Sequence, residues 1–179
     1  MRIISGNRRG KKIVAPKNLP VRPTTDFAKE SLFNILNNYF NLDAIRVLDL
    51  FAGTGNISYE FAARGAENVV SIDNSEACTN FIRRTANSLQ FDNINVFNVD
   101  AVAFLKTCKM QFNVIFADPP YDWNGYHSIP ELVFNNNLLL PDGFLVIEHS
   151  EQISFKDYQK FYQQRNYGKV NFSIFAENL

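Results

Sequence analysis

Cysteine and histidine are scarce in this 179-residue chain, with two of each. Cys78 and Cys108 stand in no CxxC and no metal-ligand spacing. That excludes a disulfide scaffold and a zinc ribbon and leaves two reduced thiols. His127 and His149 are single, with no metal-ligand spacing, and read as structural or surface groups, so no metal is expected. No apolar run is long enough to span a membrane, and the arginine-bearing start is not followed by an apolar signal segment. The expected setting is cytoplasmic, with no membrane partner. Internal repeats and low-complexity tracts are also lacking, which excludes solenoids and fibrous architectures.

What is present is an ordinary globular composition, 46% apolar and 20% charged, in a length that favours one core and a monomer as the default. The 17 phenylalanines fit that core. The formal net charge is zero, but it is unevenly spread. Residues 1–25 hold Arg2, Arg8, Arg9, Lys11, Lys12, Lys17 and Arg22 and no acid. A basic segment on an acidic body fits a local anionic partner, such as RNA or DNA phosphate, or a solvated tail. The chain is therefore divided into a basic extension, 1–25, and a main domain, 26–179.

Within the extension, the β-prone runs 2–5 and 12–15 flank a basic, turn-rich stretch, which predicts a hairpin with a charged tip. Pro16, Pro20 and Pro23 then impose an extended connection. Thr24 or Thr25 can cap a helix from Asp26 to Tyr39, with Phe27, Leu32, Phe33, Ile35 and Leu36 as its buried stripe. From residue 45 short apolar strands (46–50, 68–73, 94–97, 112–117, 143–148) alternate with helices (56–64, 75–89, 101–107, 128–136). That alternation predicts a parallel sheet covered on both faces. The runs 161–167 and 170–175, joined through Gly168-Lys169, predict an antiparallel hairpin at its end. The fold class is α/β, Rossmann-like, mostly parallel with a C-terminal antiparallel hairpin; this is the layout of the seven-stranded methyltransferase fold, though periodicity alone does not separate it from other doubly wound sheets.

In such sheets ligands bind beyond the carboxyl ends of the strands. The first strand runs into Asp49-Leu50-Phe51-Ala52-Gly53-Thr54-Gly55. Gly53-x-Gly55 is part of the dinucleotide fingerprint, but Ser58 stands where its third glycine belongs. Asp49 suits the cationic amino-acid portion of S-adenosylmethionine and suits a pyrophosphate poorly. The second strand ends in Asp73, whose carboxylate can accept from both hydroxyls of a ribose. Asp100-Ala101 follows the third strand, near where an adenine would lie. The competing reading is an ordinary strand-to-helix turn with a buried acid capping the next helix.

The fourth strand ends in Asp118-Pro119-Pro120-Tyr121. Two prolines fix the backbone where the sheet stops. Tyr121 can stack on an extruded base, and Asp118 can accept a hydrogen bond from an exocyclic amine. Such an amine is a poor nucleophile because its lone pair is delocalised into the ring. Alignment and a nearby negative charge would help it attack a methyl on a sulfonium. Plain turn punctuation is the alternative. Trp123 reads equally as a lid or as a packed loop aromatic.

Asp118-Pro119-Pro120-Tyr121 resembles the (Asn/Asp/Ser)-Pro-Pro-(Tyr/Phe/Trp) motif of amino-methyltransferases, and Asp49-x-Phe51-Ala52-Gly53-Thr54-Gly55 resembles their cofactor motif. Arg2-Ile3-Ile4-Ser5-Gly6, Arg9-Gly10, Arg22-Pro23-Thr24-Thr25-Asp26 and Glu30-x-Leu32-Phe33-Asn34 resemble the RsmD family over nearly the whole chain. These are small bacterial enzymes that methylate N2 of a guanine in 16S ribosomal RNA. The resemblance implies an S-adenosylmethionine-dependent RNA methyltransferase acting on 16S rRNA or a small-subunit particle. It places Asp49, Phe51, Gly53 and Gly55 on the methionine side of the cofactor, Asp73 on the ribose, and Asp100 with Ala101 on the adenine. Asp118, Pro119, Pro120 and Tyr121 would hold the guanine, and Arg8, Arg9, Lys11, Lys12 and Arg22 would contact rRNA phosphates. Asp73 stands where the family often has glutamate, and Ser75 where a second acid is common. The four-residue motif also serves adenine N6 and protein glutamine. Other classes to weigh are a non-catalytic RNA-binding module and an NAD-dependent oxidoreductase.

Overall fold

The structure is a computed structural model, which describes residues 1–16, 19, 25–168 and 170–177. Thr25 opens helix α1 (Asp26–Leu36), its hydroxyl accepting from the Ala28 N–H at 3.2 Å. Thr24, the other expected cap, lies outside the described residues, as does most of the proline connection. The helix stops three residues before the expected end at Tyr39. Phe27 is not in its buried stripe: it is 65% exposed, edge-on to Tyr167. The core-facing positions are instead Ala28, Lys29, Ser31, Leu32, Phe33, Ile35 and Leu36.

Seven strands follow: β1 (Arg46–Leu50), β2 (Asn68–Asp73), β3 (Ile94–Asn98), β4 (Phe112–Ala117), β5 (Leu139–His149), β6 (Phe161–Tyr167) and β7 (Val170–Ala176). They form one sheet in the order β3-β2-β1-β4-β5-β7-β6. The first five are parallel; β7 pairs antiparallel with both β5 and β6. β5 begins four residues earlier than expected. Its register with β4 jumps from Phe112↔Leu139 to Val114↔Phe144, so the Pro141-Asp142-Gly143 stretch bulges rather than ending the strand.

The remaining helices are α2 (Asn56–Ala63), α3 (Glu76–Leu89), α4 (Ala101–Thr107) and α5 (Ser128–Asn135). α1, α2 and α3 cover one sheet face through a core that includes Leu32, Phe33, Phe61, Ile82, Val47, Val114, Phe116 and Val146. α4 and α5 cover the other through Leu105, Ile129, Val133, Leu48, Ile115 and Ile147. All eight residues of α2 are buried, because the N-terminal arm lies over its outer side.

That arm is a hairpin in path but not in ladder. Its strands are reduced to one bridge, Arg2↔Lys12, and its tip is a 3-10 turn over Gly6–Arg8. Its limbs still exchange backbone hydrogen bonds, from the Ile3 N–H to the Lys11 carbonyl, the Gly10 N–H to the Ile3 carbonyl and the Ile13 N–H to the Met1 carbonyl at 3.0, 2.8 and 3.0 Å, and the body holds it as well. Ile3 and Ile13 enter the first core. The Ile4 and Ser5 N–H groups donate to the Glu60 carboxylate at 2.8 and 3.0 Å. Gly6, at φ +79°, sits so close to α2 that a Cβ there would lie 1.8 Å from the Ala63 carbonyl oxygen.

Candidate functional site

Strand alternation decides which side chains share a face. On β1, Val47 faces the first core and Leu48 and Leu50 the second, so Asp49 points to the first. The same parity sends Ser71 and Asp73 of β2, Glu148 of β5, and Asp118 just past β4 to that face. At the carboxyl edge of the sheet the acids therefore stand in spatial order Asp100, Asp73, Asp49, Asp118, Glu148, from β3 across to β5.

The loop after β1 is tied to the end of β2. The Ala52 N–H donates to the Ile72 carbonyl, and the Gly53 N–H to Asp73 Oδ2, both at 2.8 Å; Asp73 Oδ1 accepts from the Ser75 N–H at 2.8 Å. The loop turns through three left-handed residues, Phe51 (φ 59°), Gly53 (φ 55°) and Gly55 (φ 77°). For phenylalanine that conformation is strained, of order 1–3 kcal/mol, a cost met most often at functional sites. At Gly55 the glycine serves packing: a Cβ would lie 2.8 Å from the Tyr59 ring.

Asp49 is 2% exposed and accepts a short hydrogen bond from the Ser58 hydroxyl. Ser58 Oγ also lies 2.7 Å from Ser71 Oγ. The residue that interrupts the dinucleotide fingerprint thus bridges β1, α2 and β2, a role that no local sequence signal marks. Burial pushes the Asp49 carboxyl up to about 7; the Ser58 hydrogen bond opposes this, and the nearby Asp118 and Asp73 charges add to it.

Asp100 follows β3 and adjoins Asp73, whose carbonyl accepts from the Val99 N–H at 3.1 Å. One Asp100 oxygen caps α4 by accepting from the Ala103 N–H at 2.9 Å, and Ala101 is buried as the first helical residue. Past β4, Pro119 is buried, Pro120 is exposed and Tyr121 is 59% exposed. The buried Tyr126 braces this turn, its hydroxyl donating to the Pro119 and Pro120 carbonyls at 3.1 and 3.3 Å. Burial and the neighbouring acids push its phenol well above the usual tyrosine range. Trp123 lies between the two loops, 5.0 Å from the Phe51 ring and 5.9 Å from Tyr126. It is packed, and it joins the glycine loop to the Pro-Pro turn.

Two residues to which the sequence assigned no role therefore belong here, Tyr126 and Glu148. Glu148 is 3% exposed and its Oε2 has no hydrogen-bond partner. A carboxylate closing an otherwise apolar strand was the available signal. Burial and the Asp118 charge push its carboxyl up to about 9. The open clefts beside the α1–β1 connection and beside β6 lie away from these groups. Among the described residues no His/Cys/Asp/Glu group could hold a metal, and no helix is long and apolar enough to cross a membrane.

The basic residues sit elsewhere. Arg8 Nε donates to the Leu89 carbonyl at the C-terminus of α3 at 3.0 Å, so its guanidinium is tied to the body. Arg9, Lys11 and Lys12 are exposed. The tip lies at the far end of α2 from the glycine loop, about 12 Å along an eight-residue helix. Met1 is at the near end, its sulfur 3.5 Å from Thr54 Oγ1. Arg22 lies outside the described residues.

The donor set suits a cationic nucleoside. Acids on adjacent strand ends face a backbone-lined turn, and Asp49 is buried beside two further carboxylates. Similarity to known proteins agrees with this geometry. The family described as Conserved hypothetical protein 95 matches residues 1–176. YlbH of Bacillus subtilis, named as a candidate rRNA methyltransferase, is 33% identical, covering 88% of this chain and 86% of that protein. Ribosomal RNA small subunit methyltransferase D of Haemophilus influenzae is 32% identical, covering 83% of this chain and 78% of its own length. Among solved structures, the candidate methyltransferase yhhF of Escherichia coli superposes with a TM-score of 0.85 at 27% identity, covering 98% of this chain and 96% of that one. The chain therefore belongs to the Conserved hypothetical protein 95 family, the RsmD family its N-terminal motifs resemble, and carries the methyltransferase fold.

Proposed function

We propose that this protein transfers a methyl group from S-adenosylmethionine to the exocyclic N2 amine of a guanine in 16S rRNA. The observation that carries the reading is Asp118-Pro119-Pro120-Tyr121 at the end of β4, braced by Tyr126 and joined through Trp123 to the glycine loop. When bound, S-adenosylmethionine supplies a methyl group on a sulfonium. Asp49 faces the cationic amino-acid portion, the Phe51–Gly55 turn lines it, Asp73 accepts from the ribose hydroxyls, and Asp100 with Ala101 borders the adenine. Tyr121 stacks on the base. Asp118 accepts from the amine and stabilises the positive charge that develops on nitrogen as the new N–C bond forms and the C–S bond breaks. The amine proton then leaves to Asp118 and on to water.

The substrate class rests on the relatives' names and on the basic arm. Arg9, Lys11 and Lys12 are exposed and can meet phosphates, with Arg22 a further candidate, while Arg8 is partly committed to α3. Their distance from the glycine loop suits a structured RNA that spans the arm and the pocket, acted on by a cytoplasmic monomer. Transfer of labelled methyl to small ribosomal subunits, followed by nucleoside analysis, tests this. Label in N2-methylguanosine is expected; label confined to N6-methyladenosine would refute the guanine assignment.

A further inference from the structure

Glu148 is outside every role assigned above, yet it is buried beside the proposed amine site. The β4–β5 register pairs Ala117 with Ile147, so the next residue on each chain sets Asp118 beside Glu148. Parity puts both carboxyls on the face that also carries Asp49. The nearby groups on the β4–α5 connection are acidic or phenolic: Tyr126 feels the charges of Asp118 and Glu148 together with those of Tyr121 and Asp122. The register partner of Glu148 on β7 is Phe172. His149 lies on the other sheet face, held by the Ser150 carbonyl and Ser173 Oγ at 2.8 Å each. Among the described residues no cation forms a salt bridge with Glu148. With Glu148 buried and a second carboxyl beside it, the two cannot both ionise cheaply, so the pair retains a proton.

We infer that Glu148 is a positioning residue for the methyl-transfer site: as a neutral carboxylic acid beside Asp118, it shares one proton with that side chain and holds it toward the target amine. The inference rests on the proposed amine-methylating function. The chemistry is a division of labour between two acids. The carboxyl with greater access to solvent, Asp118, carries the negative charge that the amine needs. Glu148, the more buried one, keeps the proton and supplies an O–H donor that fixes its neighbour. When Glu148 ionises at about pH 9, the donor is lost and like charges push Asp118 out of place. Turnover then falls on the alkaline side. Glutamine keeps an N–H donor and cannot ionise, so it should remove that fall.

The test has two arms. In the first, carboxyl NMR of carbon-13-glutamate-labelled full-length protein is followed against pH without substrate. One glutamate should stay protonated at neutral pH, titrate near pH 9, vanish in Glu148→Gln, and titrate at lower pH in Asp118→Asn. The absence of such a carboxyl, or its indifference to Asp118→Asn, overturns the inference even if the protein proves not to methylate RNA. In the second arm, methyl transfer is measured against pH. Glu148→Gln should keep neutral-pH turnover within about threefold and lose the alkaline fall, while Glu148→Leu should lose about 100-fold at every pH, as expected for a misplaced reacting group. A wild-type alkaline limb unchanged in Glu148→Gln overturns the positioning role. If wild-type protein transfers no methyl to any RNA, the function fails and the NMR arm still decides the proton pair.

Discussion

Two groups of buried charge lie on the same side of the sheet, and they are built on opposite rules. The first, under the arm, is balanced in the sense that each charge touches one of opposite sign. Lys29 and Glu60, 1% and 0% exposed, stand 3.3 Å apart, and Arg64 closes on Glu60 at 2.9 Å while covering the Phe33 ring. The remaining valences are filled: Lys29 Nζ donates to the Arg2 carbonyl and Asn56 Oδ1 at 2.6 and 2.9 Å, and Glu60 takes the Ile4 and Ser5 N–H groups. The second, at the strand ends, is unbalanced. Asp49, Asp118 and Glu148 are all acids, and the Asp118 charge raises the proton affinity of both Asp49 and Glu148. A charge cluster in which every member has an opposite partner serves the fold by locking the arm onto α2. One that does not is a cost to folding, which binding a cation or holding a proton relieves.

The largest effect expected is on the balanced side. Glu60→Ala leaves Lys29 buried without its counter-ion and frees the arm, so stability should fall by about 3–5 kcal/mol in denaturant unfolding. A loss of less than about 1 kcal/mol would mean that the network is ornamental. Next comes Asp118→Ala, which should lower single-turnover methyl transfer by about 10²–10³-fold while S-adenosylmethionine affinity, by calorimetry, changes little. Equal losses in both would assign Asp118 to the cofactor and blur the contrast between the pocket's two sides.

Asp49→Asn probes the unbalanced side through stability. The folded carboxyl titrates at about 7, above its ordinary 3.8. The unfolded chain therefore gives up its proton first as pH rises, and the native state loses stability between those values and stays penalised above them. The variant should gain melting temperature relative to wild type at pH 8 and lose that gain at pH 3. Cofactor affinity should fall at the same time, because a cation favours the ionised acid. By the same linkage, wild-type binding near pH 6.5 should release a fraction of a proton, seen as a dependence of the calorimetric heat on buffer ionisation enthalpy. The smallest effect is at the arm tip. Replacing Arg9, Lys11 and Lys12 with glutamine should reduce the salt dependence of RNA binding by about 0.7–0.9 log units per log salt for each phosphate that the arm no longer neutralises.

The legible parts of this protein were those with a local cause. Alternating apolar runs of strand length, the glycines after β1 and the two prolines after β4 each act on their own stretch of backbone, and the strands and turns stand where those signals put them. Boundaries slipped where a distant partner intervened. β5 begins early because Leu139 pairs with Phe112 ahead of the bulge, and the arm is seated on α2 because Glu60 takes the N–H groups of Ile4 and Ser5. Phe27 leaves the core because the other face of α1 meets the sheet.

The sequence by itself determined the fold class, the order of elements and the identity of the turn residues, because periodicity and backbone restriction are properties of neighbouring residues. Only the tertiary structure decided which charges are partners. Lys29 meets Glu60, Ser58 meets Asp49 and Ser71, Tyr126 braces Pro119, and Glu148 comes to rest beside Asp118. These pairings depend on strand order and on the face to which each residue points. A carboxyl's proton affinity depends on burial and on those neighbours, neither of which exists until the sheet has formed.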